Sequence, residues 1–123
     1  MKPTQIKLSN ESQQLELRYG TETFTLSAEL LRVLSPSAEV QGHGPDQKKV
    51  PLDKQSVRIT GIERQGNYAL RLSFDDGHDT GIYSWPYFRE LCLKQDELWE
   101  EYLEEAKQRR LELDGVQPLK WQP

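Results

Sequence analysis

Hydrophobic and polar residues alternate in two groups of short segments, one at the start of the chain and one in its middle. The alternating segments are 4–8, 13–19, 22–26, 57–63, 68–74 and 78–83. Such alternation is typical of strands that bury one face, and tight turns between them favour antiparallel pairing. Ile62 breaks the pattern, which predicts a bulge or burial on both faces. The inward-facing residues of the fifth segment are predicted to be Tyr68, Leu70, Leu72 and Phe74.

Two other segments have helical spacing. Residues 28–34 follow Ser27, whose hydroxyl can cap the first turn, and they end before Pro36. A long helix is predicted from the cap Ser84 to about Arg110. Its apolar residues are Phe88, Leu91, Cys92, Leu98, Trp99, Tyr102, Leu103 and Ala106. We therefore predict an α+β fold in which a short helix and a long C-terminal helix pack on small antiparallel β-sheets.

The chain of 123 residues has the length of one domain. Residues 36–56 contain three prolines and two glycines, which predicts a long surface loop. We expect a single domain over residues 1–112 and a flexible tail over residues 113–123.

Charge and composition exclude several classes of function. The 16 basic and 20 acidic residues give a net charge of −4, which argues against a general nucleic-acid-binding protein. No apolar run approaches the roughly 18 residues of a membrane span, and the N-terminus has no apolar core of a secretory signal. Cys92 is the single cysteine, so no internal disulfide forms. These features are typical of a protein of the reducing cytoplasm.

The sequence contains no nucleophile elbow or phosphate-binding loop, and Cys92 on the apolar stripe of the long helix is expected to be an inert thiol. The histidines are His43 and His78, and Asp79 is a nearby oxygen donor. Two histidines and one carboxylate could bind a metal. The plainer interpretation is that His43 is solvated in the loop and that His78 hydrogen-bonds to a neighbouring backbone. Both interpretations stay open at this point.

An aromatic cluster surrounds the start of the long helix. Tyr83 and Phe88 are expected to be core residues. Trp85 and Tyr87 could belong to the core or to a surface that binds a partner, and we treat them as a candidate interaction surface. The acidic residues of the long helix favour a solvated face, although they could also contact a basic partner.

The chain resembles a known family in three places. They are the segment Phe-Asp-Asp-Gly-His-Asp-Thr-Gly-Ile-Tyr-Ser-Trp at 74–85, the Leu-Arg pair at 31–32 followed by Ser-Pro-Ser at 35–37, and the 57–61 strand between them. Together they resemble the gamma-butyrobetaine hydroxylase-like N-terminal domain, here as a stand-alone bacterial member. The resemblance covers about residues 4–107.

The resemblance carries implications for a metal. In the hydroxylases this domain holds a structural zinc through three cysteines of a Cys-x-Cys-x-x-Cys motif and one histidine. The cysteine positions fall on Ser35, Ser37 and Val40, and the histidine falls on His78. Because hydroxyls are poor zinc ligands and valine is none, the resemblance implies that this zinc site is lost. A hydrogen-bonded cluster of Ser35, Ser37 and His78 would replace it, or His43 would supply a second nitrogen ligand.

In the hydroxylases a 2-oxoglutarate- and iron-dependent oxygenase domain follows, and we expect this chain to lack that domain. We therefore expect no enzyme activity and no cofactor, and we predict a protein-interaction or accessory module with an unidentified protein partner. Its surface would combine residues 35–46 with residues 75–85. Related domains are fused to iron–sulfur carrier proteins. The alternative is therefore an accessory protein that binds zinc or iron through His43 and His78, linked to iron or iron–sulfur metabolism.

Overall fold

The computed structural model describes residues 2–37 and 50–113. Within them lie six strands and two helices: β1 (Gln5–Ser9), β2 (Gln14–Tyr19), β3 (Glu22–Ser27), α1 (Ala28–Val33), β4 (Ile59–Gln65), β5 (Ala69–Phe74), β6 (Gly81–Ser84) and α2 (Trp85–Leu113). This arrangement confirms the predicted α+β class. Helix α2 extends three residues beyond the predicted end, and residues 114–123 of the predicted tail lie outside the described residues.

Strands β1, β2 and β3 form one antiparallel sheet, sheet A, in that order. Period-two alternation places Leu15, Leu17 and Leu26 on its inner face, where all three are fully buried. The turn from β1 to β2 contains three consecutive residues with positive φ, Asn10, Glu11 and Ser12. Its last residue connects the two halves of the fold, because the Ser12 carbonyl accepts a hydrogen bond of 2.9 Å from the Ile59 amide.

Strands β4, β5 and β6 form the second antiparallel sheet, sheet B. The register shifts between Ile59 and Gly61, so the irregularity predicted near Ile62 is a bulge at the start of β4. Leu70, Leu72 and Phe74 face the core as predicted, whereas the prediction for Tyr68 was wrong. Tyr68 precedes β5 in the hairpin turn and is 63% exposed, because the alternation of the strand begins only after it.

Both helices begin at the predicted caps. The Ser27 hydroxyl accepts a hydrogen bond of 3.0 Å from the Leu30 amide, and the Ser84 hydroxyl accepts one of 3.2 Å from the Tyr87 amide. With 29 residues α2 is about 43 Å long, and its buried side crosses the sheets. Leu103 was predicted on that side but is 48% exposed, because it lies at the margin of the apolar stripe.

One hydrophobic core joins the sheets and helices. It extends along α2 from Trp85 to Ala106, so the long helix is supported over most of its length. The Tyr102 hydroxyl donates a hydrogen bond of 2.5 Å to Glu29 at the start of α1. Among the described residues, neither helix combines the length and the apolar character that a membrane crossing requires.

Candidate functional site

A small polar cluster lies where the chain leaves α1 and meets sheet B. We call Ser35, Ser37, His78 and Thr80 the polar cluster. Ser35 is fully buried, and Ser37 and His78 are each 7% exposed, whereas Thr80 lies at the surface. Polar groups in the interior are costly unless they are hydrogen-bonded. The burial of these polar side chains therefore requires that they form hydrogen bonds with one another or with the backbone.

Hydrogen bonds join the members of the polar cluster. The distance from His78 Nε2 to Ser35 Oγ is 2.9 Å, and the Ser37 amide donates to the same Ser35 oxygen at 3.3 Å. The Ser37 and Thr80 hydroxyl oxygens are 2.7 Å apart. The cluster thus ties the segment after α1 to the segment that enters β6, across 43 residues of sequence.

A tight turn positions His78. The turn follows β5, and Gly77 has a φ of 92°, a conformation that glycine adopts without strain. The His78 amide donates to Asp76 Oδ1 at 3.1 Å, and its carbonyl accepts from the Phe74 amide at 2.9 Å. The backbone of His78 is therefore held on both sides, which directs its ring toward Ser35.

Asp76 anchors this turn to α1. Its carboxylate lies 2.7 Å from Arg32 Nε and 2.7 Å from Lys54 Nζ. Burial by itself would raise the pKa of Asp76, but hydrogen bonds from Lys54, from the His78 amide and from Arg32 outweigh burial and lower this pKa to about 2. The carboxylate therefore stays charged and holds both cations over the pH range of the cell.

The first residues of β6 shape the other wall of the polar cluster. A side chain at Gly81 would overlap the Ser35 hydroxyl, so this position needs a residue without a Cβ. The Tyr83 hydroxyl donates a hydrogen bond of 2.5 Å to the Leu31 carbonyl. Burial raises the pKa of Tyr83, which keeps the hydroxyl protonated as a donor.

The geometry of the polar cluster differs from that of a tetrahedral zinc site, which fits the loss of zinc that the family resemblance implies. Two atoms bound to one tetrahedral zinc at about 2.0–2.1 Å lie about 3.4 Å apart, whereas Ser35 Oγ and His78 Nε2 are 2.9 Å apart. The two atoms bond to each other, and hydroxyls are poor donors to zinc. Of the other candidate positions, Val40 and His43 lie outside the described residues. Asp79 is exposed, and its carbonyl accepts a hydrogen bond from Arg71.

Across residues 2–37 and 50–113 the structure contains no group of three histidine, cysteine, aspartate or glutamate residues close enough to hold a metal ion. His78 is thus accompanied there by hydroxyl groups instead of by further metal-binding side chains. The predicted pairing of His78 with His43 cannot be placed in this geometry, since His43 is not among these residues.

The separation of Ser35 and His78 equals that of a nucleophile and its base in acyl-transfer enzymes. Ser35 is fully buried, however, so a substrate cannot reach its oxygen. Cys92 is also buried, and burial raises the pKa of its thiol to about 11, which leaves little reactive thiolate at neutral pH. Neither potential nucleophile is in a reactive environment.

Trp85 and Tyr87, the candidate interaction surface of the sequence analysis, are both packed against the protein. Trp85 is 8% exposed, and its ring nitrogen donates a hydrogen bond of 2.7 Å to the Asn67 carbonyl. Tyr87 is half-buried, and its hydroxyl donates to the Leu34 carbonyl. Both polar tips are used within the fold because α2 begins directly against the end of sheet B.

Sequence reasoning missed the exposed face of β6. Ile82 is 44% exposed, between the buried residues Gly81 and Tyr83. In the sheet it lies beside Arg71, which forms an ion pair of 2.9 Å with Glu63. We call Glu63, Arg71 and Ile82 the β6 face. Strict alternation over residues 81–84 would have placed Ile82 outside, so the signal was present in the sequence.

Comparisons with known proteins agree with this architecture. The family model described as gamma-butyrobetaine hydroxylase-like, N-terminal, matches residues 6–89. No curated protein matches the chain. Two solution NMR structures are similar to it. The first has 50% sequence identity, covers 86% of this chain and 84% of its own chain, and has a TM-score of 0.70. The second has 47% sequence identity, covers 94% of this chain and 83% of its own chain, and has a TM-score of 0.67.

A crystal structure from Acidithiobacillus ferrooxidans is also similar, with 32% identity over 73% of this chain and 91% of its own, and a TM-score of 0.60. It is described as a protein with unknown function of the DUF971 family. The similarity therefore extends to sequence as well as to fold.

Proposed function

The chain belongs to the gamma-butyrobetaine hydroxylase-like N-terminal family, and on this basis we propose that it is a non-catalytic accessory module that binds another protein. The observation that carries the proposal is the buried hydrogen bond between Ser35 and His78. It joins two of the positions that hold zinc in the hydroxylases, with chemistry that needs no metal. A chain with a single cysteine forms no internal disulfide, which supports a place in the cytoplasm.

The proposal gives the polar cluster a structural role. The cluster holds the end of α1 against the start of β6, and the ion pairs of Asp76 reinforce the same junction from the outside. Strand β6 is therefore fixed on its inner side by Tyr83 and Gly81, which pack against α1 and Ser35. A rigid strand can present its outer residues in one geometry, which lowers the entropic cost of binding.

The β6 face is the surface that we assign to the partner. An exposed isoleucine flanked by an arginine–glutamate pair has the composition of a small apolar contact with a polar rim. Arg71 is held at 2.9 Å from Glu63, so its direction is set before binding. A partner that fits this surface would bring an apolar side chain onto Ile82 and a carboxylate within reach of the remaining Arg71 donors.

A metal measurement separates this proposal from the metal-binding alternative. Untagged protein is purified without chelator, its zinc and iron are measured, and its melting temperature is recorded with and without added zinc or iron(II). We expect sub-stoichiometric metal and an unchanged melting temperature. Near-stoichiometric metal with a melting temperature that falls on chelation would overturn the proposal and favour an accessory metal-binding protein that uses His78 with His43.

Site-specific crosslinking tests the partner surface. A photoreactive amino acid is placed at Ile82 in the full chain and, as a matched control, at Leu93, an exposed leucine of α2 that is 61% exposed. We expect a discrete product at Ile82 that the control does not give. A partner identified in that product should bind the purified protein and lose at least about tenfold in affinity with Ile82→Asp, which corresponds to about 1.4 kcal/mol. Equal products at both positions contradict the assignment of the β6 face.

A further inference from the structure

A second surface, on α2, is independent of the polar cluster and of the β6 face. We call the side chains of Asp96, Trp99, Leu103, Lys107 and Arg110 the α2 stripe. They recur every three or four residues, so they lie along one side of the helix. Leu103 at its centre is 48% exposed, although the neighbouring Tyr102 is 4% exposed and belongs to the core.

The α2 stripe is lined by open grooves. One has a volume of about 460 Å³ and lies against Glu29, Gln55, Leu103 and Lys107. Another has a volume of about 340 Å³ and lies against Thr25, Leu30 and Gln95. Trp99 lines both of them, and its ring packs at 5.3 Å from the ring of Tyr102, which holds it in place. Side chains from a second helix could therefore enter on either side of Trp99.

The order of residues along the α2 stripe is symmetric about Leu103. Asp96 and Arg110 each lie seven residues from it, and Trp99 and Lys107 each lie four residues from it. The N-terminal half thus carries a carboxylate and an aromatic ring, and the C-terminal half carries two cations at the matching distances. Cations interact favourably with carboxylates and with the face of an indole ring.

We propose that the α2 stripe binds a second copy of this chain, with the two α2 helices antiparallel about a two-fold axis at Leu103. This arrangement places Asp96 opposite Arg110 and Trp99 opposite Lys107 of the partner copy, and the axis repeats each contact. Parallel helices would instead place each charge opposite its own like charge. The charge order therefore selects the antiparallel arrangement.

The existing contact of Arg110 with Asp53 is compatible with such an interface. Arg110 already lies 3.0 Å from Asp53, and a guanidinium has five donors, so it can bind Asp53 and a second carboxylate together. The Asp53 contact directs the Arg110 side chain along the helix surface. Since α2 is packed on the core as far as Ala106, the helix offers this surface without having to reorder.

The size of the α2 stripe sets the kind of dimer that we expect. From Asp96 to Arg110 it covers about 21 Å of helix, which is short compared with a permanent interface. The dimer should therefore form and dissociate with protein concentration. Added salt should weaken it, because its specificity comes from exposed charges.

Cysteine crosslinking tests the position of the axis. A residue on a two-fold axis meets its own copy, so Leu103→Cys should give a disulfide-linked dimer of the full chain under mild oxidation. Leu93→Cys is the matched control, because Leu93 is also an exposed leucine of α2 but lies outside the α2 stripe. The native Cys92 is 3% exposed and should not contribute. Equal crosslinking of both variants, or of neither, overturns the proposed axis.

Sedimentation equilibrium tests the charge pairing. With rising concentration the apparent mass should increase from 14.3 kDa toward twice that value. Asp96→Arg and Arg110→Glu should each weaken the dimer by about tenfold or more, because each replaces two attractive contacts by repulsive ones. The double variant should recover most of this loss, and Asp53→Ala should retain the dimer.

A protein that stays monomeric at every concentration overturns the proposal. The α2 stripe would then be covered by another protein or by residues 114–123 of the same chain. A double variant that is as weak as the single variants overturns the antiparallel pairing. Neither result bears on the β6 face, which lies on another part of the molecule.

Discussion

The polar cluster and the α2 stripe place polar and apolar groups in opposite ways. In the polar cluster, two serine side chains and an imidazole are buried, and the hydrogen bonds within the cluster measure 2.7–3.3 Å. In the α2 stripe, a leucine and part of an indole ring face solvent between charged side chains. The first region satisfies its groups within the chain, whereas the second leaves apolar surface that the described residues do not cover. Substitutions in the two regions should therefore have different consequences.

The largest effect on stability is expected for Gly81→Ala. The new methyl group would overlap the Ser35 hydroxyl in a fully buried position, and overpacking of this kind costs about 3 kcal/mol. Chemical denaturation should show the loss as a lower midpoint with an unchanged slope. Gly61→Ala is the matched control in the same sheet, since its methyl group would meet Ser73 at an ordinary distance of 3.5 Å. Similar losses for both variants would mean that the space beside Ser35 is not limiting.

The next effect concerns acid stability. The folded-state pKa of Asp76 is about 2, below its ordinary value of 3.8, so its contribution is complete above pH 4 and is lost as the pH falls toward 2. Solvent screens part of this interaction because Asp76 lies at the surface, so the loss of unfolding free energy should be at most about 2 kcal/mol. Asp76→Asn should remove this part of the pH dependence, measured by denaturation between pH 2 and pH 6. The control variant Asp79→Asn, at an exposed position, should retain the pH dependence of the unmodified protein. An unchanged pH profile for Asp76→Asn would contradict the role of the ion pairs.

A somewhat smaller effect is expected for His78→Ala, which removes the imidazole from Ser35 at a cost of about 1–2 kcal/mol. The effect should be local: the Ser37 amide, which donates to Ser35, should exchange its hydrogen faster, whereas the amides of sheet A should not change. Hydrogen exchange read by NMR distinguishes these sites. Unchanged protection at Ser37 would show that the imidazole does not hold this segment.

The smallest effect on folding is expected in the α2 stripe. Leu103→Gln keeps a good helix former at an exposed position, so the unfolding free energy of the dilute protein should change by less than about 0.5 kcal/mol. The same variant should weaken self-association in sedimentation experiments. A large loss of stability in dilute solution would instead assign Leu103 to the core, and the contrast between the two regions would disappear.

The strands and helix starts could be predicted from the sequence because their signals are local. Alternation identified both sheets, and Ser27 and Ser84 identified the helix starts. Tyr68 was wrongly placed inside, because a pattern of period two does not show where a strand begins. The exposure of Leu103 was missed for a related reason. Helical spacing shows on which side of the helix a residue lies, but it does not show how wide the buried side of the helix is.

The candidate site depended on contacts that are distant in sequence. Ser35 and His78 were brought into one hypothesis only through the family resemblance, because the residues themselves give no sign that positions 43 apart are neighbours. Thr80 and the Arg32–Asp76–Lys54 ion pairs were missed for the same reason. For Trp85, an aromatic residue at a helix start, the sequence left both a core position and a surface position possible. Its hydrogen bond to the Asn67 carbonyl could not be predicted, because it depends on the hairpin before β5.

The strand order also has a consequence for how the chain reaches its fold. Each sheet pairs strands that follow one another in sequence, so each can form through short hairpins before the two meet. The Ser12–Ile59 hydrogen bond joins the two sheets across a long connection in the sequence. The pairing inside each sheet therefore depends on residues that are close in sequence, whereas the contact between the sheets depends on residues 47 positions apart.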